Sequence, residues 1–454
     1  MDFKQPFRSL KDLVESTGSP SVSHLVGTPL MLFGTPDHVR ELLAAVKEKA
    51  ASTRRSVSIL FGSGSILALP YSRWLPLRRN LGQVFHLTNM KGYFEVYVES
   101  ALDFVARVEA HNSRRKRHFE EAKEAGMRTQ PTTLLEPIDV DMCAMDLALD
   151  VVTRALFSKD LAIQRGGVNK LADTIHTMTH LFIEFSLNPV FWLIHPFQYW
   201  TFHSSRAWFH RSIADWVRER QADPNAADKH DLLSLMLKVR DPETGDSLTT
   251  EVIGAQCTTF YLAGHDTTAH TIAWALHEIA QHPEVEEKIF EELTEVIGDR
   301  GTPTYEEANK LTYLQWVVKE TLRLHPPVGV LSRCTMEKTE FAGVAVPANC
   351  SVTVSLLAVH YSEQVWPEPW RFRPERFSDQ ESAGRSPYAW LPFSQGERNC
   401  IGMNFALMEI RVVLAVLCKK FRLAPSVDLL PHTGVFISTA PVDGLFIHFL
   451  PRDN

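Results

Sequence analysis

The chain has 454 residues, long enough for a large core, with 44% apolar and 22% charged residues and a formal net charge of -7. That acidic balance argues against nucleic acid as the main partner. No apolar run reaches the roughly 18 residues of a spanning helix, and the nearest candidate is broken by Pro189, His195 and Pro196. The opening MDFKQPFRSL has no signal-peptide core. The chain is therefore expected to be soluble and cytoplasmic, with attachment to the endoplasmic-reticulum membrane left open should a longer form carry an N-terminal anchor.

In chain order, a loop-rich first segment contains short apolar runs such as Thr28–Phe33. Residues Thr35–Val46 read as a capped helix with Pro36 at its first position. Arg114–Lys123 reads as a solvated helix face, and 223–230 and 241–246 as polar loops. The longest helical candidate runs from Thr250 to Gln281 and stops before Pro283; it would span about 48 Å. Shorter helices fit Pro283–Ile297 and Leu311–Leu324. The sequence turns β-like over Phe341–Leu357, with Gly343 and Pro347 at turns, and proline-rich around 365–377. A last helix at Met403–Phe421 precedes a short β-rich tail. The fold is expected to be mainly α with a minor β component, in a single large domain.

The six cysteines, Cys143, Cys257, Cys334, Cys350, Cys400 and Cys418, form no CxxC pair. Their scatter predicts a reducing compartment and no disulfide framework. Five read as small buried hydrophobes; Cys400 differs because of its neighbours. It lies in FSQGERNCIG, between a glycine-containing turn and an amphipathic helix. Helix N-termini stabilise thiolates. Gly396 and Gly402 permit close backbone approach or positive φ. Arg398 supplies positive charge and Phe393 can cover the sulfur. This pattern suits a soft, charged ligand on a rigid, shielded loop.

Here the chain resembles the cytochrome P-450 family. The family's haem-loop pattern, Phe-x-x-Gly-x-Arg-x-Cys-x-Gly, is met by Phe393, Gly396, Arg398, Cys400 and Gly402. The resemblance runs from about residue 25 to 450. It implies a long central helix over heme b, with the Cys400 thiolate as axial iron ligand, a ligand that favours O–O cleavage.

Three further constellations carry the resemblance. In KETLRLHPP, Glu320 and Arg323 share a helix face, which by itself would be an ion pair of little worth on a surface. The resemblance joins them to Arg376, in Pro374–Phe377, as a buried structural network behind the haem. In AGHDTT (Ala263–Thr268), poor helix formers interrupt a strong helix, which marks a functional site. The resemblance makes this the dioxygen groove: Ala263 and Gly264 line the haem face, Asp266 relays protons, and the Thr267 hydroxyl hydrogen-bonds dioxygen. Trp74 and Arg78, four apart on one helix, match the family's Trp-x-x-x-Arg, with Tyr71 where glycine is usual. With Arg333 and Arg398 they make the implied propionate clamp.

The aromatic stretch Leu181–His203 falls between the family's F and G helices, over the substrate channel. It reads partly as packing core, and otherwise as a route for an apolar substrate or a contact with a bilayer surface. The implied substrate is a mid-sized apolar molecule: a lipid, terpenoid or polyketide-like compound. No flavin or iron–sulfur segment is recognisable, so electrons from NAD(P)H are expected through a flavoprotein reductase or ferredoxin. Arg78, Arg79, Lys91, Arg411, Lys419 and Lys420 would form a basic patch to steer it. The leading function is a monooxygenase that uses O2 to hydroxylate or epoxidise its substrate. The alternatives are a haem-thiolate isomerase or dehydratase acting on a peroxide without a reductase, and a non-catalytic haem-binding sensor or lipid carrier. The acid–alcohol pair Asp266–Thr267 favours the first.

Overall fold

A computed structural model describes residues 12, 19, 21–25, 28–124, 136–167, 170–187, 190–226, 229, 231–240, 245–341, 343–426, 433–435 and 438–452. Strands β1 (Ser21–Leu25) and β2 (Thr28–Phe33) open the fold as an antiparallel pair. Helices α1 (Pro36–Ala45), α2 (Ala51–Phe61), α3 (Tyr71–Val84) and α4 (Leu87–Glu124) follow, then β3 (Ile138–Asp139), α5 (Val140–Phe157), α6 (Lys170–Leu187) and α7 (Pro196–Ala222). The second half begins with α8 (Thr250–Gln281), α9 (Pro283–Ile297) and α10 (Thr312–Leu324). Strands β4 (Val330–Cys334), β5 (Thr339–Phe341), β6 (Val344–Val346) and β7 (Ser351–Ser355) lead towards α11 (Met403–Lys420). The chain closes with β8 (Phe421–Pro425), β9 (Thr433–Val435), β10 (Thr439–Pro441) and β11 (Phe446–Pro451). The result is mainly α with small sheets, as expected. The largest sheet has the order β1-β2-β7-β4, with β2 and β7 parallel.

Local signals set most helix ends. Thr35 caps α1 by accepting from the His38 N–H. Thr249 caps α8 by accepting from the Val252 N–H, and α8 ends at His282 because Pro283 opens α9. The predicted bounds of α8 match those observed. Helix α8 packs against α5, α7 and α11, so its middle is buried nearly all round.

The longest helix, however, is α4, of 38 residues, not α8, of 32. Its buried stripe (Met90, Tyr93, Phe94, Tyr97, Ala101, Phe104, Val105, Val108) has helical spacing. Beyond Val108 the stripe gives way to RRKRHFEEAKE. The charged extension contains no breaker, so the helix continues where the apolar pattern has stopped.

Candidate active site

Cys400 closes a tight loop. Its N–H donates to the Phe393 carbonyl at 2.9 Å, and Ser394 and Gly396 take positive φ of 59° and 76°. Gly402 has an ordinary φ of -91°, so its freedom is not what the turn uses. Its N–H faces the Cys400 sulfur instead, at the start of α11. Cys400 sits deep within the protein, yet its surface is open, so it faces an internal space. Burial pushes the thiol pKa up, while the Gly402 N–H and the Arg78 guanidinium pull it back.

A second opening lies on α8. From Ala255 to His277 the residues are buried, except for Ala263, Gly264 and Thr267. These lie on one face, and Phe260 and Thr271, one turn before and after, are buried. The opening is therefore one turn wide. A Cβ on Gly264 would sit 3.2 Å from Val152 Cγ2 of α5, so glycine also keeps the two helices close here. The Thr267 hydroxyl donates to the Ala263 carbonyl at 2.8 Å, a bond that loosens the helical ladder at the window. Asp266 is buried just behind it, and its Oδ2 has no partner among the described residues.

A third feature is positive charge. Arg398 lies over the Trp74 ring at 4.3 Å and the Tyr71 ring at 5.7 Å. Tyr71 and Trp74 stack on each other, so the tyrosine found in place of glycine extends the platform. Arg398 Nε donates to the Lys47 carbonyl at 2.7 Å, while its buried Nη2 has no partner among the described residues. Arg333 is buried nearby; burial and Arg398 lower its pKa to about 10. Lys49 joins them. Burial, then Arg398 and Arg333, lower its pKa to about 8. Glu48 also acts on Arg398, but its carboxylate is engaged by Arg54 and the Tyr71 N–H. A cluster in which Arg398 lowers both Lys49 and Arg333, and Arg333 lowers Lys49, marks a site built for an anion. Arg78 completes the edge, its Nη2 donating to Asn399 Oδ1 at 3.1 Å.

Lys49 escaped the sequence reading. Within KEKA it resembles a solvated helix end, and only the fold brings it to Arg333 and Arg398. The three features together fit a haem. Cys400 would supply a thiolate ligand, the α8 window a face of small residues, and Lys49, Arg333 and Arg398 a seat for propionates.

Glu320, Arg323 and Arg376 form a closed cluster. Arg323 Nε and Nη2 each donate to a Glu320 oxygen at 2.8 Å. Arg376 Nε donates to Glu320 Oε1 at 3.2 Å, and the Arg373 N–H to the same oxygen at 3.0 Å. Arg323 Nη1 donates to the His360 carbonyl, and Arg376 Nη2 to the Glu368 carbonyl. All three side chains are buried.

The family model "Cytochrome P-450" matches residues 2–440. The chain belongs to the cytochrome P-450 family. Rat cytochrome P-450 4V2 is 31% identical over 81% of this chain and 71% of its own length. Human cytochrome P-450 4X1 is 29% identical over 91% of the chain and 80% of its own length. The fold matches the crystal structure of the cytochrome P-450DA heme domain with a TM-score of 0.87, at 22% identity, over 99% of this chain and 94% of that one. As a family member the chain is a haem-thiolate monooxygenase, with haem on a cysteine thiolate and electrons from a redox partner.

The six basic residues expected to form one patch are dispersed, although Arg79 is exposed. Arg411 is buried midway along α11 and donates to the Ala308 carbonyl. Lys91 pairs with Glu306, Lys420 with Glu109, and Lys419 donates to Thr294. Arg78 turns inward to Asn399. Lys419 and Lys420 end α11, about 27 Å from its start near Cys400. Adjacency in the sequence reading did not survive the length and burial of that helix.

The aromatic stretch divides. Phe185 and Phe202 pack in the core, edge to face at 5.5 Å. Leu193, Ile194, Phe197 and Trp200 are exposed, Leu193 at 82% and Phe197 at 75%. Positions 188 and 189 lie outside the described residues.

Proposed function

We propose that the Cys400 thiolate would hold the iron of a haem and that the α8 window would face the same haem. The observation that carries this is the pairing of openings: an enclosed but open Cys400, and a one-turn gap at Ala263, Gly264 and Thr267 in a helix otherwise buried there. Phe393, Gly396 and Gly402 shape the loop. Trp74, Arg78, Arg333, Arg398 and Lys49 would hold the propionates. When bound, the haem supplies oxygen activation, with O2 as co-substrate and electrons from NAD(P)H through a flavoprotein reductase or ferredoxin.

The protein's part is positional. Thr267 holds a hydroxyl at the window, already bonded to Ala263, that can turn to a guest there. Asp266 holds a buried acceptor oxygen within the packed helices, placed to relay a proton one residue from that hydroxyl. Glu320, Arg323 and Arg376 contribute rigidity, not chemistry.

The substrate we propose is an apolar, mid-sized molecule drawn from a lipid phase, which it hydroxylates or epoxidises. The support is the exposed group Leu193, Ile194, Phe197 and Trp200, which would rest on a bilayer surface beside the channel. Among the described residues no helix is long and apolar enough to cross a membrane. The acid–alcohol pair on α8 favours a monooxygenase over an isomerase or dehydratase acting on a peroxide.

The absorption spectrum of the reduced, carbon-monoxide-bound protein tests the ligand. A strongly red-shifted Soret band in the wild type that vanishes in Cys400→Ser is expected. A wild-type band typical of histidine or neutral-thiol ligation would refute it.

A further inference from the structure

Behind the α8 window lies a polar group that the site as described does not use. His270 is one turn beyond Asp266 and is 4% exposed. Its Nδ1 lies 2.7 Å from Asp141 Oδ1, and its Nε2 lies 3.8 Å from Asp266 Oδ1. Asp141 stands in the first turn of α5 and its side chain keeps 13% of its surface in solvent. Its N–H donates to Asp139, which is only half buried. A file of acid, imidazole and acid thus runs from the edge of the molecule to the window.

We propose that His270 is the proton donor that recharges Asp266, and that Asp141 draws its protons from solvent. The inference rests on the reading of Asp266 as the acid of the site. In the charged ring both nitrogens carry protons. The Nε2–H bond breaks and an O–H bond forms on Asp266, at the Oδ1 that faces the ring. The ring, now neutral, turns to present its bare nitrogen to Asp141, which hands on a proton taken from water. One proton enters at Asp141 for each one delivered to Asp266. The 3.8 Å gap needs only a small side-chain rotation to reach hydrogen-bond range.

A structural histidine would be expected to be neutral in so buried a place. His265, five residues earlier, behaves that way: burial lowers its pKa to about 4, against a smaller pull from Asp266. His270 goes the other way. Burial acts to lower it, but the hydrogen bond to Asp141 and the charges of Asp266 and Asp141 outweigh that and raise it. The same helix therefore holds an inert imidazole and a chargeable one, and the chargeable one stands between two carboxyl groups. The charged and titratable groups facing it are Asp141 from α5 and Asp266 and His265 from α8 itself.

The experiment uses the haem-loaded protein. In its diamagnetic, reduced, carbon-monoxide-bound form, labelled with 15N-histidine, His270 should titrate above the ordinary value of about 6.5. Asp141→Asn should lower its proton affinity at least about tenfold. With a surrogate ferredoxin and reductase, His270→Gln keeps a hydrogen-bonding side chain but cannot shuttle. It should slow NADPH-driven oxygen consumption about tenfold or more and raise its solvent isotope effect. The carbon-monoxide spectrum should not change. A His270 that titrates at or below the ordinary value, or unaltered oxygen consumption in His270→Gln, would overturn the relay. Failure of the haem-thiolate reading would appear instead in the wild-type carbon-monoxide spectrum, so the two failures are separable.

Discussion

The Glu320 cluster and the Ala263–Thr268 window both hold polar groups inside an apolar protein, and they are finished in opposite ways. Around Glu320 each carboxylate oxygen receives guanidinium or backbone donors, and Arg323 and Arg376 spend their remaining donors on carbonyls. At the window, Asp266 Oδ2 and His265 Nδ1 have no partner among the described residues, and Thr267 has one it can exchange. Buried polar atoms are costly when unpaired. A closed cluster is a structural element; an open one keeps capacity for a guest. The cations at Lys49, Arg333 and Arg398 belong with the window, since Arg398 Nη2 also lacks a partner among the described residues.

The largest effect expected is at the closed cluster. Glu320→Ala leaves two guanidinium groups buried without their carboxylate, at a cost of about 3–5 kcal/mol. That is a large part of the about 5–15 kcal/mol that holds a protein folded. Urea unfolding measures it, and a loss near zero would remove the distinction between the two regions.

His360 sharpens the same side. It sits under the cluster, with Nδ1 at 3.1 Å from the Arg323 carbonyl and Nε2 accepting from the Leu391 N–H at 2.9 Å. Burial, then Arg323, depress its pKa to about 3. The unfolded chain, with an ordinary value near 6.5, binds the proton first as pH falls. The stabilising contribution is therefore complete above about 6.5 and is lost on acidification toward about 3, by about 1.4 kcal/mol per pH unit. Unfolding at pH 7 and pH 5 should show a drop in wild type that shrinks in His360→Asn. Parallel losses in both proteins would refute it.

At the window the stability effects are smaller. Gly264→Ala pushes a Cβ to 3.2 Å from Val152 Cγ2, which a few tenths of an ångström of movement would relieve. A melting shift equivalent to about 1 kcal/mol is expected. A loss several times larger would mean that the glycine serves helix packing alone.

The smallest stability change should come from Thr267→Ala, within about 0.5 kcal/mol of wild type, because alanine suits a helix better than a back-bonded threonine. Its chemical effect should be the opposite. Product formed per NAD(P)H consumed should fall while electrons are diverted to peroxide. Unchanged coupling would show that the open region does not manage protons through this hydroxyl.

Local grammar carried much of the fold. Caps at Thr35 and Thr249 and breaks at Pro283 and Pro326 act within a few residues, so α1, α8, α9 and α10 were legible nearly to the residue. Helix α4 was not, because its apolar stripe ends before the helix does. The Cys400 loop was legible because a cysteine, a glycine at positive φ and an arginine fall within one short segment. Lys49 and the Asp141–His270 pair left no such trace. Lys49 meets Arg333 and Arg398 from positions 284 and 349 residues away, and Asp141 meets His270 across 129. Nothing local distinguishes these side chains from solvated ones. The sequence by itself determined α1, α8, α9 and α10 and the family, and it marked out the Cys400 loop. Tertiary structure alone decided which charges were buried together and which polar atoms stayed open, because burial and pairing depend on chain segments that meet only in the folded protein.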